Sequence, residues 1–151
     1  MTTSKKEMFE EYVDLATTMR WFEGEGKYAE EIGYYTKGLD QDLYNRVFAL
    51  QQKIVKTHRY FKNKNPKAAW ALGDVSLVML FTEGKVRLTY DGGWGDAVQS
   101  RVINNPTGLD MFALADDLVR RSGDSHHFFV EDMEYKKTQN GVRIYELKTG
   151  S

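Results

Sequence analysis

The spacing of apolar residues changes period after Asn65-Pro66, and that change limits the chain to folds that combine helices with a sheet. Before it, apolar residues recur at helical spacing. Residues 4 to 22 read as a helix, with Met8, Tyr12, Leu15, Met19 and Phe22 on one face and Phe9, Val13 and Ala16 widening it. Ser4 and Glu7 make a capping box, and Glu23-Gly24-Glu25-Gly26 ends the segment. Glu7, Glu10, Glu11 and Asp14 form its solvated face. Lys27 to Lys37 is ambiguous, with Tyr28, Tyr34 and Tyr35 suiting either core or interface. A second helix, capped by Asp40, carries Leu43, Val47, Leu50, Ile54 and Phe61 on one face. It must stop before Asn65-Pro66, because the residue before a proline avoids helical geometry. Lys67 to Leu72 reads as a helical turn or a connector.

Beyond that point the pattern is strand-like. Val75–Thr82 and Lys85–Tyr90 flank Glu83-Gly84, which reads as a tight hairpin turn. Ala97–Ile103 is a third strand, stopped by Asn104-Asn105-Pro106. A helix from about Leu109 to Arg121 buries Met111, Leu114, Ala115, Leu118 and Val119 and stops at Gly123. The last segment is a hairpin with strands near His127–Lys137 and Val142–Lys148. A two-residue turn at Asn140-Gly141 would set Lys137 opposite Ile144. A four-residue loop would set Tyr135 there and gather Met133, Tyr135, Val142 and Ile144 on one face, and is preferred. The order α-α-β-β-β-α-β-β predicts one α+β domain over residues 1–151, an antiparallel sheet of about five strands with helices packed on one face.

Composition narrows the function. With 151 residues the chain can bury a single core. A net charge of −1 argues against a protein that grips a duplex over its whole surface. The lack of cysteine removes disulfides and thiolate chemistry and suits a reducing compartment. No apolar h-region is visible at the start, and Leu77–Phe81 is too short to span a bilayer, so a cytoplasmic protein without membrane partners is expected.

Three places stand out. Tyr90-Asp91-Gly92-Gly93-Trp94-Gly95-Asp96 holds three glycines in four positions around a tryptophan, between two carboxylates. It lacks the spacing of a dinucleotide fingerprint or a phosphate loop. It reads as a connection with Trp94 folded over the core edge, as a contact surface centred on Trp94, or as a divalent-cation site using Asp91 and Asp96. Asp124-Ser125-His126-His127-Phe128-Phe129-Val130-Glu131-Asp132 pairs histidines with carboxylates, but strand neighbours face opposite ways, and His127 and Glu131 would lie about 13 Å apart. The third is a basic run, Lys53, Lys56, His58, Arg59, Lys62, Lys64 and Lys67, interleaved with Tyr60, Phe61 and Trp70. Cations beside aromatic faces suit a single-stranded nucleic acid or a nucleotide, while positive charge also belongs at a helix C-terminus.

From the second hairpin onward, Tyr90–Asp96 and His127–Asp132 resemble an uncharacterised family of small bacterial and phage domains. Its members pair an acidic Gly/Asp-rich strand-end loop with a helix, a histidine-aromatic-acidic strand and a closing hairpin. The resemblance covers about residues 75 to 151 and implies the layout together with a small phage-type accessory protein. The expected function is a non-enzymatic binding module, prone to form homo-oligomers, that occupies a host protein or sequesters a nucleotide-like ligand. Its contact residues would be Trp94, Asp91, Asp96, His126, His127, Arg59 and Tyr60, with no cofactor and no bound metal. The alternatives are a metal-dependent hydrolase or nuclease built on Asp91, Asp96 and His127, and a single-strand binder acting through the basic helix end.

Overall fold

Why the second half forms a sheet is clearest at β2 (Lys85–Tyr90), whose alternate residues Val86, Leu88 and Tyr90 are buried. A computed structural model describes residues 4–24, 37–70 and 75–150. The ambiguous stretch with Tyr28, Tyr34 and Tyr35 lies outside them, as do residues 71 and 72 of the expected connector and the two that follow. The chain divides into two units, Met1–Thr57 with Gly73–Val75, and His58–Leu72 with Ser76–Ser151.

The first unit holds α1 (Lys5–Gly24) and α2 (Lys37–Val55), which pack against each other. The Ser4 hydroxyl accepts the Glu7 N–H at 3.1 Å, as expected of a cap. Tyr12, Ala16, Val47 and Ile54 are buried, and Glu7, Glu10, Glu11 and Asp14 are exposed. Gln51 Nε2 donates to the Tyr12 hydroxyl at 3.2 Å, joining the helices by a buried polar contact. Met19, Phe22 and Asp40 lie where only the helix backbone is described. Two expectations need correcting. α2 begins at Lys37, so Asp40 is inside the helix and not its cap. α2 also ends at Val55, well before Asn65-Pro66, so Phe61 belongs to a separate 3-10 turn, Arg59–Phe61, in the second unit. His58 starts that turn: its backbone is extended, and its Nδ1 accepts the Tyr60 N–H at 3.1 Å.

The second unit is built on a sheet of six strands: β1 (Ala69–Trp70), β2, β3 (Val98–Gln99), β4 (Ile103–Asn104), β5 (Phe129–Gln139) and β6 (Val142–Gly150). Their order is β1-β5-β6-β2-β3, with β4 also on β2. The sheet is mixed, not antiparallel as expected. β5 and β6 form an antiparallel hairpin, but β1 runs parallel to β5 and β6 runs parallel to β2. Helix α3 (Gly108–Ser122) covers the buried face of β2, and Phe61, Trp70 and Phe112 pack together with ring centroids 5.6 to 5.9 Å apart.

Val75–Thr82 is not a strand. Val75–Val78 is a 3-10 turn, and Leu80 makes a lone bridge to Thr107. Both edges of β2 are already taken, one by β6 and the other by β3 and β4. The segment instead binds the start of α3: Gly108 N–H donates to the Met79 carbonyl and Phe81 N–H to that of Pro106, each at 2.8 Å. Glu83-Gly84 therefore joins no hairpin; Gly84 is held by the backbone and side chain of Asn105. The expected third strand splits at Ser100, whose hydroxyl takes the Leu88 N–H at 2.9 Å in place of a strand carbonyl.

The final hairpin uses the two-residue turn, with Gln139 opposite Val142 and Lys137 opposite Ile144. The four-residue loop is thus incorrect. A register shift between Tyr135 and Lys137 sets Tyr135 opposite Tyr145 and Met133 opposite Leu147, so the bulge places Met133 and Tyr135 on a different face from Val142 and Ile144, not on one face as expected. A second shift, between Val130 and Asp132, lets Val130 and Met133 both be buried although they are three residues apart.

Candidate functional site

The site forms where the glycine loop meets the end of α3. Thr107 caps this helix in a reciprocal box with Asp110, and Gly123, with φ of 77°, closes it. Asp91 Oδ1 accepts the Gly93 N–H at 3.2 Å, and Gly93 has φ of 79°, a conformation that favours glycine. Gly95 lies so close to the Ser122 carbonyl that any Cβ would overlap it, while Asp96 N–H donates to that carbonyl at 2.9 Å. The loop is therefore pinned to the helix end, and Trp94 stands out from it, 64% exposed.

Just past Gly123 sits Asp124, which is 1% exposed. Its Oδ1 accepts the N–H groups of His126 and His127 at 2.8 and 3.1 Å. Its Oδ2 accepts the Tyr90 hydroxyl at 2.9 Å and lies 3.1 Å from His127 Nδ1. Burial alone would raise the Asp124 pKa; the hydrogen bonds from His126, Tyr90 and His127 outweigh it and pull the value down to about 2. The charged carboxylate can only accept, so His127 Nδ1 carries the proton. The Tyr90 hydroxyl is pushed above its ordinary value, first by burial and then by the Asp124 carboxylate, and also pairs with Thr149 at 2.9 Å.

This turn corrects the geometry expected of the histidines. β5 begins only at Phe129, so His126 and His127 are not strand neighbours facing opposite ways. Both rings flank Trp94, with centroids 5.2 and 5.3 Å from it. Neither Asp91 nor Asp96 makes a hydrogen bond or ion pair with either ring; the carboxylate that does is Asp124. Among the described residues, no group of three or more His, Asp or Glu side chains is placed to hold a metal ion.

Arg59 and Tyr60 lie elsewhere, beside the middle of α3. Tyr60 donates to Asp116 Oδ2 at 2.9 Å, and burial followed by this bond raises its pKa strongly. Asp116, fully buried, also accepts the N–H groups of Lys67 and Ala68 at 2.6 and 2.8 Å and Arg120 Nε at 2.7 Å. Phe61 and Trp70 are core residues, and Lys64 lies 4.1 Å from the centre of the Tyr60 ring. Two of the three aromatics in the basic run are thus closed to stacking by a nucleic acid.

Asp124, Asp116 and Tyr90 were missed as organising residues in the sequence. A signal existed for the first: an aspartate just after a helix-ending glycine is placed to bind the N–H groups two and three residues on. Asp116 carries no such local signal, because three of its four partners are 48 to 56 residues away. Among the described residues no helix is long and apolar enough to cross a membrane. Comparison of the chain with protein-family models, with curated proteins and with solved structures gives no match.

Proposed function

We propose that the chain is a non-enzymatic binding module that engages a partner protein through Trp94, His126 and His127. The observation that carries this reading is the exposure of Trp94 on a loop that cannot readily fold away. A tryptophan already fixed in position loses little freedom on binding, and tryptophan dominates the energetics of many protein interfaces. The two imidazoles add polar groups at its edge, and the Asp124 carboxylate orients one of them. A projecting ring suits insertion into a recess on another protein, which fits a small accessory protein that occupies its target.

The test compares the chain with its Trp94→Ala variant in quantitative affinity capture from cells that produce it, followed by native mass spectrometry. The expected result is a stoichiometric partner that the variant retains at least about tenfold less well, a typical hot-spot loss. Equal retention by the variant, or capture of nothing by either protein, would overturn the proposal.

A further inference from the structure

A cavity of about 280 Å³ opens beside α3 along the stretch from Asp110 to Asp117. Its apolar floor includes Ala113, Leu114 and Ile103. Arg59 and Arg101 stand on its wall, both exposed, and neither guanidinium has a hydrogen-bond or ion-pair partner among the described residues. Two carboxylates share the wall, but each is engaged. Asp110 binds His58 Nε2 at 2.8 Å and closes the Thr107 cap, and Asp117 pairs with Arg121 at 2.9 Å. Burial works against ionising Asp110, but its bonds to Thr107 and His58 hold its pKa below the ordinary carboxylate value.

The backbones that carry the two arginines are also fixed. His58 Nδ1 caps the turn that begins at Arg59. The Ser100 hydroxyl binds Leu88 N–H and donates to the Arg101 carbonyl at 2.7 Å. From this arrangement we propose a second binding site, for a small organic phosphate. Each guanidinium offers paired N–H donors that match a phosphate group, and the apolar floor accepts the body of the molecule. The site is distinct from that of Trp94, because its lining includes no residue of the Tyr90–Asp96 loop or of the turn at Asp124.

The test is a two-dimensional NMR titration with inorganic phosphate and with adenosine monophosphate as probes. Both should give saturable shifts at the Arg59 and Arg101 side-chain N–H groups and at the Tyr60 and Asn104 amides. Adenosine monophosphate should bind more tightly, because inorganic phosphate leaves the floor uncovered. Arg59→Gln and Arg101→Gln should each weaken binding at least about tenfold without changing the melting temperature, and Trp94→Ala should leave it unchanged. Absence of saturable shifts with both probes, or undiminished affinity in Arg101→Gln, would overturn the proposal.

Discussion

Asp116 within α3 and Asp124 just beyond it are surrounded in nearly the same way. Each buried carboxylate accepts one tyrosine hydroxyl, from Tyr60 or Tyr90, and two consecutive backbone N–H groups, from Lys67 and Ala68 or from His126 and His127. They differ in the fourth partner. Asp116 takes Arg120 from its own helix, whose side chain also binds the Asn65 carbonyl. Asp124 takes the ring of His127, which is partly exposed beside Trp94. The same device closes one connection into the fold and, at the other end, holds a surface group in place. Burying a carboxylate among such donors specifies where a loop lies; whether it also positions a contact residue depends on what the last donor touches.

The strongest way to break this comparison is Asp116→Ala, which strands a guanidinium, a hydroxyl and two N–H groups. It should cost about 3 kcal/mol or more in urea denaturation. A loss under ~1 kcal/mol would show that Asp116 is not the structural counterpart described. Asp124→Asn should cost about 2 kcal/mol at neutral pH, and its effect should depend on pH. The folded pKa of about 2 lies below the unfolded value near ~3.9, so the stabilisation is complete above about pH 5 and is lost as pH falls toward 2. Acid titration of stability should therefore be steeper in the parent than in Asp124→Asn; identical profiles would remove Asp124 as the source. Smallest is Gly95→Ala, expected to cost about 1 kcal/mol by pushing the loop off the Ser122 carbonyl. Its clearer readout is Trp94 fluorescence together with the His126 and His127 resonances, which should all move. An unchanged spectrum would mean that the docked glycine does not position the tryptophan.

What could be read from the sequence follows the range of each interaction. The three described helices and the last two strands were legible because their signals are local: apolar spacing, Gly123 and Asn140-Gly141. Strand neighbours were not, since nothing near Lys85–Tyr90 announces that β6, more than 50 residues later, lies parallel to it. Val75–Thr82 has strand composition, yet with both sides of β2 occupied no edge there remains for it. At the candidate site, Trp94 was visible from its glycine setting, but its association with His126 and His127 depends on two turns meeting at Ser122. The basic run misled because Phe61 and Trp70, spaced among cations, belong to the core.

The ends of the sheet have a consequence for crowding. At one border lies β1, two residues long, and at the other lie β3 and β4, two residues each and interrupted at Ser100. Such borders offer too few free N–H and C=O groups in register to template a foreign strand. The long hairpin lies between them, but β1 covers only Phe129 and Val130 of β5, so the outer side of residues 131–139 is an edge, carrying Glu131, Asp132, Glu134, Lys136 and Lys137. What guards that edge against a foreign strand at high concentration is its charge and the two register shifts, at Val130/Asp132 and Tyr135/Lys137, that break its regularity.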